Sequence, residues 1–168
     1  MLDIVLSLLL LQAAPGAAVP PPVDPAHVPG EDKVDPYTPS AANAGATPFV
    51  GDGMAKAFHG QAGIRRVVDG LVKAAYADKV IGEIFESHDK VRLDRTLFEQ
   101  FCFILNAGCT YSGRDMASSH KDLGVQRADM NRLVVLLQAA MKAEHISFQA
   151  QNRFLSKLAP MNHDVVTK

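Results

Sequence analysis

The 168-residue sequence has no large excess of charge of either sign. Its formal net charge is -1, so no broad basic field exists to draw in nucleic acid or anionic lipid. Cysteine is scarce. Cys102 and Cys109 are the only two, and their spacing is not the C-x-x-C of zinc or thioredoxin-like sites. Carried on one helix, they would stand about 10 Å apart at ~1.5 Å per residue. A bridge needs roughly 4.4–6.8 Å, so it would require the helix to break between them, and both read as free, packing thiols. There is no Trp, and no nucleophile elbow, P-loop or paired-carboxylate motif. No stretch alternates β-branched residues as a strand would. The expected fold class is therefore all-α. At 48% hydrophobic and 21% charged residues, the chain can build one core and is too short for two.

What is present falls into three parts. Residues 4–11 (IVLSLLLL) are apolar and lead into small residues, with Gly16 and Ala18 at the positions of a cleavage site. The run is too short to span a bilayer, which takes about 20 residues. It reads as a secretory h-region, although Asp3 precedes it and no Lys or Arg does. An uncleaved anchor and a mis-set start codon are the alternatives. The expectation is a signal peptide or membrane anchor over residues 1–18, with export to the periplasm or a tether outside the cytoplasm. Without a signal the protein would be cytoplasmic. Residues 19–50 are rich in Pro, Ala, Gly and Asp and show no apolar period, so they read as a semi-extended linker.

Residues 51–168 carry the folded domain. Ile64, Val67, Val68, Leu71, Val72 and Ala75 follow the i, i+3, i+4, i+7 rhythm of a helix with one buried face. A turn follows Asp78, and Val80-Ile81 with Ile84-Phe85 packs back on the core. A second helix covers about 90–105, with Leu93, Leu97, Phe101 and Ile104/Leu105 on one side. Asn106-Ala107-Gly108 stops it, because Asn and Gly tolerate the left-handed cap conformation. A short helical piece spans 114–120 and ends by Gly124. A third long helix runs from about 128 to 143 with Met130, Leu133, Val134, Leu137 and Met141 inward. The last begins after Ser147, a suitable N-cap. Its apolar anchors are Phe148, Phe154, Leu155 and Leu158, and Pro160 bends or ends it.

The histidines beyond the linker are His59, His88, His120, His145 and His163. Four lie in polar surroundings at turns or helix ends, where solvated or capping roles are expected. His120 differs: Met116 lies one turn before it, and Leu123 and Val125 follow. By periodicity alone, a lone His among apolar neighbours is more often a satisfied core residue than a ligand.

The helix IRRVVDGLVKAAYADKVIGEIF, the segment LFEQFCFILNAGCTYSGRDM, and SSHKDLGV before a helix of the type RADMNRLVVLLQAAM resemble the group I branch of the truncated, 2-on-2 globins. The resemblance covers about residues 58–166. It implies a shortened globin fold, two antiparallel helix pairs crossed around one b-type haem. It also implies His120 as the proximal ligand to iron and Phe85 against the porphyrin. Tyr111 and Met116 would lie near the haem edge and proximal face, with Met130, Leu133 and Leu137 closing the pocket. An apolar pocket suits a mostly apolar porphyrin, and a neutral imidazole suits iron.

The departures bear on function. Where many group I members carry a distal Tyr this chain has Val72, and the facing positions read Leu93 and Leu97. Gln100, about one turn beyond Leu97, is the nearest polar candidate unless it points outward. A distal donor stabilises bound O₂ by about 0.5–1.5 kcal/mol or more. Without one, O₂ should leave quickly, while CO and NO should bind comparatively well. The glycine pairs of the family are eroded to His59-Gly60 and Asn106-Ala107, though both turns should persist. A mobile loop could bring His88 to iron, but solvent is its expected place.

The function so implied is reversible binding of a diatomic gas, O₂, NO or CO, by a binding protein rather than an enzyme. NO or peroxide detoxification, electron transfer and a haem-free interaction module are the alternatives. Detoxification and electron transfer would call on an unidentified reductase. No nucleic-acid partner is expected, and a membrane is met only through the N-terminal segment, if that is uncleaved.

Overall fold

A computed structural model describes residue 24 and residues 27–166 of the chain. The apolar run at 4–11 and the Gly16 and Ala18 positions lie outside them. Among the described residues there are eight α-helices, two short 3₁₀ turns and no strand. No described helix is long and apolar enough to cross a membrane.

The central element is α2 (Gly60–Ala77). A short α1 (Gly53–Ala57) leads into it through His59, whose left-handed φ of 59° turns the chain at the join. The apolar stripe expected from the sequence is the buried one: Ile64, Val67 and Val68 are fully buried, and Leu71, Val72 and Ala75 nearly so. α4 (Lys90–Ile104) and α6 (Arg127–Ala143) both lie along α2, and α3 (Gly82–Glu86) packs at its end. Phe154 of α7 (Phe148–Leu158) closes the middle. Its ring meets Phe58 and Phe101 edge-on, with centroids 5.2 and 4.9 Å apart, a geometry aromatic quadrupoles favour.

The starts of four helices have a local cause. Asp89 caps α4, its Oδ1 accepting from the Val91 and Arg92 amides. Asp115 caps α5 (Met116–His120) through the Ser118 amide. Asp129 reaches back to the Gln126 amide at 2.9 Å, the reciprocal cap that starts α6. Ser147 caps α7, as its sequence position implied. The 3₁₀ turn Ala159–Met161, which holds Pro160, then leads into α8 (Asn162–Val165).

Four expectations are corrected. Cys102 and Cys109 are not free thiols; they form a disulfide, with Cα atoms 5.5 Å apart. The helical rise had been carried through the stop signal. α4 ends at Ile104, Asn106 turns left-handed with φ 58°, and the Ala107 amide returns to the Cys102 carbonyl at 2.9 Å. That 6→1 closure folds Cys109 back beside Cys102.

The described part of the supposed linker is not free-standing. It forms a strap: Ala44, in a 3₁₀ turn at Ala41–Ala44, is fully buried in the core, and the Phe49 amide donates to the Ile104 carbonyl. Small, unpatterned residues gave no period because the segment packs through single contacts rather than one continuous face.

Finally, Phe148 is 72% exposed and anchors nothing, because as the first residue of α7 it projects beyond the core that Phe154 fills. Val80 is likewise exposed, leaving Ile81 to pack on the core.

Candidate functional site

His120 is the last residue of α5, half-buried. Its Nδ1 lies 2.8 Å from the Met116 carbonyl one turn back. A carbonyl can only accept, so Nδ1 carries the hydrogen and the lone pair sits on Nε2. Burial lowers the affinity of this ring for a second proton; the Met116 carbonyl works against that, and the charge of nearby His88 reinforces it. The result is a neutral imidazole with one fixed tautomer and one nitrogen available as a donor. That is the state in which His binds a metal, and a carbonyl on the other ring nitrogen raises its basicity.

The apolar residues singled out from the sequence fall in two groups. Val72, Phe101, Tyr111, Met116 and Leu137 belong to one buried cluster, with Leu97, Met130 and Leu133 packed against it. Leu93 and Phe85 are half-buried outside that cluster. Phe85 stands 5.8 Å from the ring of Tyr76. Tyr111 donates its hydroxyl to the Arg114 carbonyl at 2.9 Å, and burial pushes its pKa well above the ordinary phenol value.

α4 and α6 share α2 as a floor yet scarcely touch each other, and α5 leans on α8 instead of bridging them. Leu93, Leu97 and Phe98 on α4, and Met130 and Leu133 on α6, are left only half-buried. Large apolar side chains left partly uncovered on two helices that scarcely touch fit an apolar ligand between them. A neutral imidazole with a free Nε2 fits a metal within that ligand.

Two polar candidates take other places. Gln100 does not face this region. It is buried, and its Nε2 donates to the Ala44 carbonyl at 3.0 Å, with Met116 Sδ 3.3 Å away. His88 is exposed, its Nδ1 3.2 Å from Ser87 Oγ and its carbonyl taking the Tyr76 hydroxyl at 3.0 Å. It lines a cavity of about 340 Å³ with Glu83, Ile84, Ser87, Asp122 and Leu123. No sequence signal pairs the 83–88 turn with the residues after His120, so this cavity could not have been read in advance.

A family model described as bacterial-like globin matches residues 56–167. The chain belongs to the bacterial-like globin family. Solved structures agree on this globin's fold. The truncated hemoglobin of Tetrahymena pyriformis in its Fe(III) form, both unsubstituted and with a tyrosine replaced by phenylalanine, is 17% identical at a TM-score of 0.65. The match covers 68% of this chain and 98% of that one. The 2/2 hemoglobin of Synechococcus sp. PCC 7002, in the cyanomet state with covalently attached heme, is 15% identical at a TM-score of 0.63, with the same coverage. No curated protein sequence matches this globin.

Proposed function

We propose that this globin holds a b-type haem between α4 and α6 with His120 Nε2 on the iron, and that it binds a diatomic gas reversibly. When bound, haem supplies the metal centre at which O₂, NO or CO is taken up. The observation that carries the reading is the His120–Met116 hydrogen bond, which fixes the tautomer and leaves Nε2 as the donor.

The remaining roles belong to the chain's own side chains. Leu97, Met130 and Leu133 exclude water from the pocket, and Phe85 stacks at its rim. In the proposed pocket Val72, Leu93 and Leu97 would make the wall opposite His120, and none of them offers a donor or a titratable group. With Gln100 engaged by Ala44, that wall stays apolar, which favours CO and NO over O₂ and favours binding over acid–base catalysis. Export from the cytoplasm is supported by the Cys102–Cys109 bridge, since such bonds persist in oxidising compartments.

The test is spectroscopic. Full-length protein expressed with haem supply should show a Soret band, and ferrous protein should shift that band on adding CO. His120→Ala should lose the band or bind haem far more weakly. A colourless wild-type protein, or a variant that keeps the wild-type ferrous spectrum, refutes the assignment.

A further inference from the structure

The strap of residues 31–49 precedes the family match, which begins at residue 56, yet it reaches the histidine's support from two directions. From outside it holds the loop that leads into α5. Tyr37 donates to the Ser112 carbonyl at 2.9 Å, and Asn43 Nδ2 donates to the Gly113 carbonyl at 3.1 Å. Arg114 returns a bond to the Asp35 carbonyl. Glu31, its side chain 1% exposed, pairs with Arg95 of α4, and the same guanidinium donates to Ser112 Oγ at 2.6 Å.

From inside, the strap touches α5 itself. The Ala44 carbonyl accepts from Gln100, whose amide nitrogen also lies 3.3 Å from Met116 Sδ. At Gly45, φ is 77°, and an added Cβ would stand 2.8 Å from Met161 Sδ and 3.2 Å from Met116 Cγ. Met116 is the residue whose carbonyl holds His120. α5 has five residues, so its own hydrogen bonds hold it weakly, and its helical neighbour is α8, which follows directly on Met161. The strap therefore packs where α4, α5 and the start of α8 come together, at Gln100, Met116 and Met161.

We propose that this segment is a proximal clamp: its Ala44–Gly45 turn, seated on Gln100 and Met116, sets the position of the His120 ring. Gln100, Met116 and Gly45 are positioning residues, acting through the Met116 carbonyl on the imidazole. The inference rests on His120 being the iron ligand, but half of its test does not.

Gly45→Ala places a methyl against both methionines and forces a left-handed Ala, and Gln100→Leu removes the tie to Ala44 while keeping bulk. Ile64→Val, a methyl removed from the α2 core, is the control for plain destabilisation. In the haem-free full-length protein, hydrogen exchange at the Ser118 and Ser119 amides should speed up roughly tenfold in Gly45→Ala. Gln100→Leu should change it in the same direction, and Ile64→Val should leave it unchanged relative to global unfolding. In the haem-loaded ferrous protein, the iron–histidine stretching band in resonance Raman spectra should shift in the first two variants and not in the control.

Unchanged α5 exchange in both clamp variants overturns the clamp, whatever becomes of haem binding. An unmoved iron–histidine band in folded, haem-loaded variants overturns its action on His120. A wild-type protein that takes no haem defeats the proposed function instead, and leaves the exchange result to decide whether the strap holds α5.

Discussion

Opening the Cys102–Cys109 bridge should cost stability of a size its loop length sets. The bond closes a loop of about eight residues, and removing such a constraint restores roughly 8 cal/mol/K of chain entropy to the unfolded state, about 2.5 kcal/mol at 25 °C. For a domain of this size, 1 kcal/mol moves the midpoint by about 4 °C, so reduction should lower Tm by about 10 °C. The native turn should survive the loss, because Asn106 and the Ala107–Cys102 hydrogen bond hold it independently. The assay is thermal unfolding followed by far-ultraviolet circular dichroism on oxidised and reduced full-length protein. Alkylation and mass measurement would count thiols in each: none before reduction and two after. Cys109→Ser, at the less buried end of the bridge, should match the reduced protein. Two thiols that label without reductant would refute the bridge. A reduced protein within about 2 °C of the oxidised one would refute the loop-entropy argument.

Two further outcomes test the pocket and the scaffold. Val72→Tyr should add a hydroxyl to the proposed apolar wall and slow O₂ release up to about tenfold, the equivalent of one net hydrogen bond; stopped-flow displacement of O₂ by CO measures it, and an unchanged rate refutes the apolar-wall proposal. Asp78, at the end of α2, accepts from Arg132 of α6 and from the Val80 and Ile81 amides. Arg132 foremost holds its carboxyl below the usual range. A depressed folded pKa contributes stability above the unfolded value, near 3.9, and loses it as pH falls through the folded one. Asp78→Asn should therefore unfold at a lower temperature than wild type at neutral pH, with the gap closing below about pH 4; a gap constant with pH refutes the ion pair's part in it.

The helices were legible where burial is one-sided and periodic. The inward stripe of α2, the caps at Ser147 and Asn106, and the inner residues Leu137 and Met141 all followed from spacing. His120 was legible as an exception among apolar neighbours, but its spacing could not separate a ligand from a core histidine. The Met116 carbonyl, which fixes the tautomer and leaves Nε2 as the donor, is what supports the ligand reading proposed above. The disulfide was misread because a uniform helical rise was drawn through residues already recognised as a stop.

The strap was misread for a deeper reason. Periodicity detects a segment that buries a face of its own, whereas residues 31–49 are held by unlike single contacts: one buried carboxylate between arginines, one alanine in the core, one glycine against two methionines. Each contact takes its meaning from a partner some 55 to 120 positions away, among them Gln100, Ser112, Arg114 and Met161. A Pro- and Ala-rich composition is as compatible with that arrangement as with a tether, because the energy lies in the partners rather than in the segment. The same contacts decide where Gln100 goes: with its Nε2 turned to the Ala44 carbonyl and beside Met116 Sδ, this side chain is committed to the strap and α5 rather than to the proposed gas site.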